Sequence, residues 1–253
     1  MTAIPAGVTY ADYLRLPALL GAQAPLSELH DEMLFIVIHQ TKELWLKQML
    51  HEVALATRLV GEDRYAEAYK ALSRVSRIQA VMTMSWDVLS TLTPVDYSEF
   101  RHVLGTSSGF QSAQFRELEF RLGMKDAKFR DYQEGGDEGG VRLRAALAEP
   151  SLWDEAKAAL ARAGFAIGTA DDIHASWLAV YRESGKYFEL YQLAEKLVDI
   201  DDGLAGWRHK HVLTVTRIIG GKKGTGGSAG AAYLESTMTK RAFPELWSLR
   251  TDL

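Results

Sequence analysis

The 253-residue chain contains no cysteine. That excludes disulfides, thiolate metal ligands, iron–sulfur clusters and a cysteine nucleophile, and leaves His, Asp, Glu, Tyr and Met as the side chains able to hold a metal. Proline is scarce, with only Pro5, Pro17, Pro25, Pro94, Pro150 and Pro244. The proline-free windows 26–93, 95–149 and 151–243 each have room for several helices. Neither sign of charge dominates: 29 basic against 33 acidic residues give a net charge of −4. There is no electrostatic case for nucleic acid or an anionic membrane as partner. No apolar run reaches the roughly 18 residues of a membrane span. The first 30 residues carry Asp12 and Arg15 and no signal-type apolar core. The expectation is a soluble, cytoplasmic protein. Also missing is any run that alternates apolar and polar residues with Val, Ile and Thr, as a half-buried strand would.

What is present is a globular composition, 47% hydrophobic and 25% charged, biased toward helix-forming residues. The expected fold is all-α, a single-domain helical bundle over 1–253 with long central helices. The first long helix is expected from about Ser27 to Val60, stopped by Gly61. Leu34, Val37, Ile38, Thr41, Trp45, Gln48 and Met49 form one stripe on it, and Phe35, His39, Leu46 and Leu50 a second. A helix apolar on two sides is buried between neighbours. Further helices are expected over about 64–91, from a Thr93 cap with Pro94 in the first turn, and from the Ser108–Gln111 capping-box spacing to Gly123. Others are expected over 141–149, 151–163, 173–198 and 204–219, with two short ones around Pro244. Ten of the 21 glycines fall in 135–140 and 220–230, marking a flexible loop after Gln133 and a second glycine-rich loop.

Seven histidines are present, with no HExxH motif. His209 and His211 are two apart and point to different sides of a helix, so they cannot share one metal. The pattern argues against non-haem metal chemistry. His39 and His211 each share a helix face with apolar residues. A core histidine with a satisfied hydrogen bond fits that pattern; so does a pair facing each other across a cofactor, since one axial histidine is enough to hold a haem. Tyr97 and Arg101 stand four apart on one helix face, beside Phe100 and Leu104. Arg101 is suited to grip a carboxylate, and an exposed Arg packed on a Tyr ring fits the same spacing. The loop 220–230 fails the Walker pattern because a helix precedes it and Thr225 and Gly226 follow Gly224. A mobile linker and an anion-binding lid both remain open for it.

Taken together, HDEMLFIVIHQTKELWLKQML at 30–50, TPVDYSEFRHVLGTSSGFQSAQFRELEF at 93–120 and WRHKHVLTVTRIIGGKKGTGGSAG at 207–230 resemble the signature blocks of the tryptophan 2,3-dioxygenase family. TYADYLRL at 9–16 and FPELWSLR at 243–250 extend the resemblance over nearly the whole chain. The resemblance implies an all-helical, haem b-binding homotetramer, a dimer of dimers, that uses O2 to cleave the indole C2–C3 bond of L-tryptophan and gives N-formylkynurenine. Matched position by position, His211 is the axial ligand of the haem iron and His39 the distal histidine that accepts the indole N–H. Arg101 grips the substrate carboxylate, with Tyr97 on the same wall. Thr225 contacts the ammonium and carboxylate in the lid loop 220–230. Phe35, Leu104, Phe100 and Trp86 match apolar positions of the indole and haem pocket. Ser108 and Gly109 match the turn at the haem face. Tyr10, Tyr13 and Leu14, within the N-terminal segment 1–26, match residues donated to a neighbouring subunit's site. A haem monooxygenase of the same fold and a non-catalytic haem or amino-acid sensor are the alternative functions. Two departures stand out. The region 130–175 is short for the family. DIDDGLAG at 199–206 is rich in Asp and Gly, which predicts loosened support behind His211.

Overall fold

The computed structural model describes residues 7–130 and 138–253. Among them there is helix and no strand, so the all-α expectation holds. Two short helices, α1 (Tyr10–Leu14) and α2 (Leu16–Leu20), lead into α3 (His30–Gly61) and α4 (Tyr65–Leu89). The chain continues through α5 (Pro94–Phe100), α6 (Ala113–Leu122), α7 (Glu138–Ala148), α8 (Leu152–Arg162) and α9 (Ala170–Arg182). It ends with α10 (Phe188–Ile219), α11 (Ala231–Ser236) and α12 (Pro244–Ser248). None of these is long and apolar enough to cross a membrane.

Thr93 caps α5 as its sequence predicts, its side chain accepting from the Asp96 amide. The Ser108–Gln111 capping box forms, but it opens only a single 3-10 turn at Gly109–Gln111. Ser112 then caps α6 afresh by accepting from the Phe115 amide. The loop expected after Gln133 is helical from Glu138 onward; its residues up to 137 lie outside those described. The helix expected over 173–198 is two helices, broken at 183–187 around Gly185. The break expected at 199–203 does not occur, and α10 runs unbroken for 32 residues, about 48 Å.

DIDDGLAG stays helical because its unusual residues serve tertiary contacts. The Asp201 carboxylate is wholly buried. It accepts from the amides of Ala242 (3.1 and 3.0 Å) and Phe243 (3.3 Å) and from Trp247 Nε1 (2.9 Å). That docks the C-terminal segment onto α10. Gly203 lies where α4 crosses: a Cβ there would sit 2.7 Å from Gln79 Oε1, and Gln79 Nε2 donates to the Ile200 carbonyl at 3.0 Å. The segment therefore ties α10 down, and the expected loosening behind His211 is not found.

The main core joins α4 to α3 on one side and to α10 on the other, with α6, α8, α9 and α12 closing it. Glu32, buried near the start of α3, accepts from the amides of Leu26 and Ser27 at 2.8 Å each and fixes the preceding segment. The first apolar stripe of α3 is only partly covered. Ile38 and Met49 are buried, while Val37 and Trp45 stand 38% and 39% exposed. A smaller cluster of Ile38, Trp86, Leu89, Leu92, Tyr97, Phe100 and Ile218 ties α3, α4, α5 and α10 together at one end.

Candidate active site

Beside that smaller cluster α3 and α10 part around a cavity of about 780 Å³. Its walls are α3 and α10, with Met82, Trp86 and Leu89 of α4 between them. The turns around Leu104 and Ser108, the loop 220–230 and α11 complete it. The volume is in the range of sites that enclose a cofactor or a drug-sized ligand. Phe35, His39, Trp86, Tyr97, Leu104, Ser108, Gly109, His211 and Thr225 all line it.

His39 projects from α3 with a defined tautomer. Its Nδ1 lies 2.7 Å from the Phe35 carbonyl. A carbonyl only accepts, so Nδ1 carries the hydrogen and Nε2 of the neutral ring is an acceptor. Burial holds the ring below the usual histidine pKa, and nearby Lys42 works in the same direction; the Phe35 carbonyl and Glu43 oppose them. The Phe35 ring packs 4.2 Å from the imidazole. Tyr97 and Phe100 sit behind it at 5.9 and 5.8 Å. Burial raises the Tyr97 phenol above its usual range against the opposing charge of Arg101, so its O–H stays a donor.

His211 comes from the opposite wall. Burial, with Lys42 and His39 as nearby positive charges, pushes its pKa down to about 3. No hydrogen bond contributes to that shift. The ring stacks on Trp86 at 4.2 Å and 13° and lies 5.2 Å from Trp207. Trp207 stacks in turn on Phe115 at 4.9 Å. A neutral imidazole among aromatic rings is the form that ligates metals.

The glycine-rich loop is closed over one end. Thr225 Oγ1 donates to the Ser107 carbonyl. Arg101 Nη2 donates to the Lys223 carbonyl. Gly226 has no alternative residue here, because a Cβ would lie 2.6 Å from the Cβ of Ser108. Three site expectations fall outside the cavity wall. Phe100 is wholly buried behind Phe35 and Tyr97, and Arg101 is engaged with the loop. Tyr10, Tyr13 and Leu14 stand on the outer surface, 76%, 78% and 39% exposed.

Sequence reasoning missed the charged groups of this cavity. Arg116 pairs with Glu119, and Arg208 Nη2 donates to the same carboxylate at 2.8 Å. The Arg116 guanidinium also lies 3.7 Å over the Phe129 ring. Lys240, whose ammonium burial holds below its usual pKa, completes three cations around one carboxylate. Such an end favours an anionic group. The signal available was the i, i+3 spacing of Arg116 and Glu119 on α6. Lys42, one turn beyond His39, was missed as well.

The fold and site define a protein helical throughout its described residues and built around an internal cavity, with a neutral histidine on each of two walls and cations at one end. The sequence profile of the tryptophan 2,3-dioxygenase family matches residues 2–177 and, in an overlapping stretch, 168–253. A tryptophan 2,3-dioxygenase of Caulobacter vibrioides is 59% identical over 97% of this chain and 98% of its own length. Relatives of the same name from Bacillus cereus and Polaromonas naphthalenivorans are 49% and 46% identical, again over 97% of this chain and 93% and 92% of theirs. The chain belongs to the tryptophan 2,3-dioxygenase family.

Proposed function

We propose that the chain inserts both atoms of O2 across the indole C2–C3 bond of L-tryptophan, giving N-formylkynurenine, with haem b as its cofactor. The observation that carries the reading is the pair His39 and His211 on the walls of one cavity, in a chain that matches relatives of that name over 97% of its length. The residues fit a haem: the neutral imidazole of His211 would hold its iron, the walls are aromatic and aliphatic, and the cationic end at Arg116, Arg208 and Lys240 would take its carboxylates. When bound, the haem supplies the activation of O2.

What the chain contributes is recognition, orientation and exclusion of water. His39 Nε2 accepts the indole N–H. Because the ring is neutral it fixes the indole without needing to take its proton. Phe35, Tyr97 and Leu104 flank the indole, with Phe100 packed behind them, while Trp86, Ser108 and Gly109 form the haem's surroundings. Arg101 grips the carboxylate: a guanidinium carries five N–H donors, and Lys223 engages one. Thr225 exchanges its bond to Ser107 for the substrate's polar end, and 220–230 acts as a lid over a single domain spanning 1–253. The active assembly is a homotetramer, a dimer of dimers. In it Tyr10, Tyr13 and Leu14 reach a neighbouring subunit's site.

The test is the product. Reduced, haem-loaded protein is mixed with L-tryptophan and isotopically labelled oxygen, and the product is weighed by mass spectrometry. A product carrying two labelled atoms is expected. One labelled atom would make the chain a hydroxylase, and none would remove the catalytic reading.

A further inference from the structure

Lys42 is a group that the proposed reaction does not use. It is 6% exposed, and its Nζ has no hydrogen-bond partner. Buried polar groups in folded proteins nearly always have one. An apolar side chain of similar volume would fill the place without that cost, so the amine needs another reason to be there. Its nearest group is an aromatic face: Nζ sits 2.9 Å from the centroid of the Trp86 ring. Trp86 in turn stacks on His211 at 4.2 Å and 13°. Two rings that close leave no room between them for an amine 2.9 Å from one centroid. Lys42 therefore occupies the far face of the indole, and the three side chains form one pile: Lys42, Trp86, His211.

An indole face is electron-rich and attracts N–H groups. Amine or ammonium, the Lys42 N–H groups present positive charge to that face, draw electron density away from the imidazole side, and hold the indole in place. An imidazole stacked on a poorer π surface is a weaker donor, and a weaker axial donor stabilises the reduced iron relative to the oxidised one. Axial-ligand strength and the groups behind the ligand are the protein's levers on a haem. We propose that Lys42 is a positioning residue for the axial ligand, acting through Trp86 on His211 to favour the ferrous state. The inference rests on the reading of His211 as the iron's ligand.

The test is the ferric/ferrous midpoint of the haem-loaded full chain at fixed pH, followed spectroscopically. In Lys42→Met the ferric-to-ferrous ratio at the wild-type midpoint should rise about tenfold, a fall of about 59 mV for one electron. Lys42→Arg, whose guanidinium also stacks on indole, should restore it. In a Trp86→Leu background the Lys42→Met change should add nothing. The ferrous iron–histidine stretching band should move in Lys42→Met and return in Lys42→Arg, a shift that a packing defect alone would not reverse. An unchanged midpoint and band in Lys42→Met, or a full shift that persists without Trp86, would overturn the inference. His211→Ala serves as the separate check. If it binds haem with the wild-type spectrum and midpoint, the axial reading itself falls, whatever Lys42 does.

Discussion

At the scale of single residues, burial decides what the two histidines can do. His211 titrates near 3 in the folded chain and near 6.5 in the unfolded one. The unfolded state therefore binds more protons between those values. The stability is fully present above pH 6.5 and is lost as pH falls toward 3, at about 1.4 kcal/mol per pH unit. His39 is lowered too and adds in the same direction. The urea midpoint of the haem-free protein should drop steadily from pH 6.5 to 5, and His211→Phe should flatten the slope. A midpoint constant over that range would contradict the neutral assignment. Lys42, pushed down to about 6 by burial, has the same sign over a higher window, from its unfolded pKa of about 10.4 downward. At neutral pH Lys42→Met should stabilise the haem-free protein by on the order of 2 kcal/mol, measured by the same titration. Arg101→Ala should raise KM for L-tryptophan about a hundredfold, as loss of a charge-assisted bond costs roughly 1.5–3 kcal/mol, while haem content stays at the wild-type level. Unchanged KM would remove the carboxylate role. His39 and His211 were legible because each interrupts an apolar helix face. Lys42 was not, since nothing in one sequence tells a buried lysine from the solvated kind on an amphipathic helix.

At the scale of elements, the sequence was clear where local chemistry decides and silent where tertiary contact does. Thr93-Pro94 starts a helix by its own capping group and fixed φ, and α5 begins there. DIDDGLAG reads as a break because Asp and Gly are poor helix formers, yet α10 passes straight through it. The compensation is remote in sequence: the amides of Ala242 and Phe243 that Asp201 binds, and the crossing helix that Gly203 admits. Two substitutions on α10 separate propensity from packing. At Gly206 an added Cβ meets nothing within 4 Å, so Gly206→Ala should stabilise by about 0.5–1 kcal/mol through helix propensity. At Gly203 the same propensity gain opposes an overpacking cost of about 1–3 kcal/mol against buried Gln79, and Gly203→Ala should destabilise on balance. Thermal melts of the two variants should move in opposite directions. Equal upward shifts would mean that α4 yields at the crossing without cost.

At the scale of the whole molecule, the chain leaves apolar residues uncovered along two of its long helices. Met33, Val37 and Leu44 follow one line along α3, and Val81, Met84 and Val88 follow another along α4. The two helices pack side by side and meet at Lys42 and Trp86, so each line, about 140–200° round its own helix from that contact, faces away from the seam. Leu44 is 48% exposed and Met84 68%. Exposed apolar residues in line along a helix are the kind of surface that protein–protein interfaces cover. Of the two stripes read on α3, both pack mostly inside the chain, and only Val37 and Trp45 are exposed, left for a neighbouring subunit of the proposed tetramer. Charges on these lines should then act on assembly and not on the fold. Leu44→Glu with Met84→Glu should give a smaller particle by light scattering, with helical circular dichroism unchanged, because an unpaired carboxylate at a closed interface is desolvated without compensation. Activity should fall with the particle size if, as proposed, the neighbour's Tyr10, Tyr13 and Leu14 complete each site. A variant that keeps the wild-type mass would place the subunit contacts elsewhere. One that dissociates with full activity would show that each cavity is complete within its own chain.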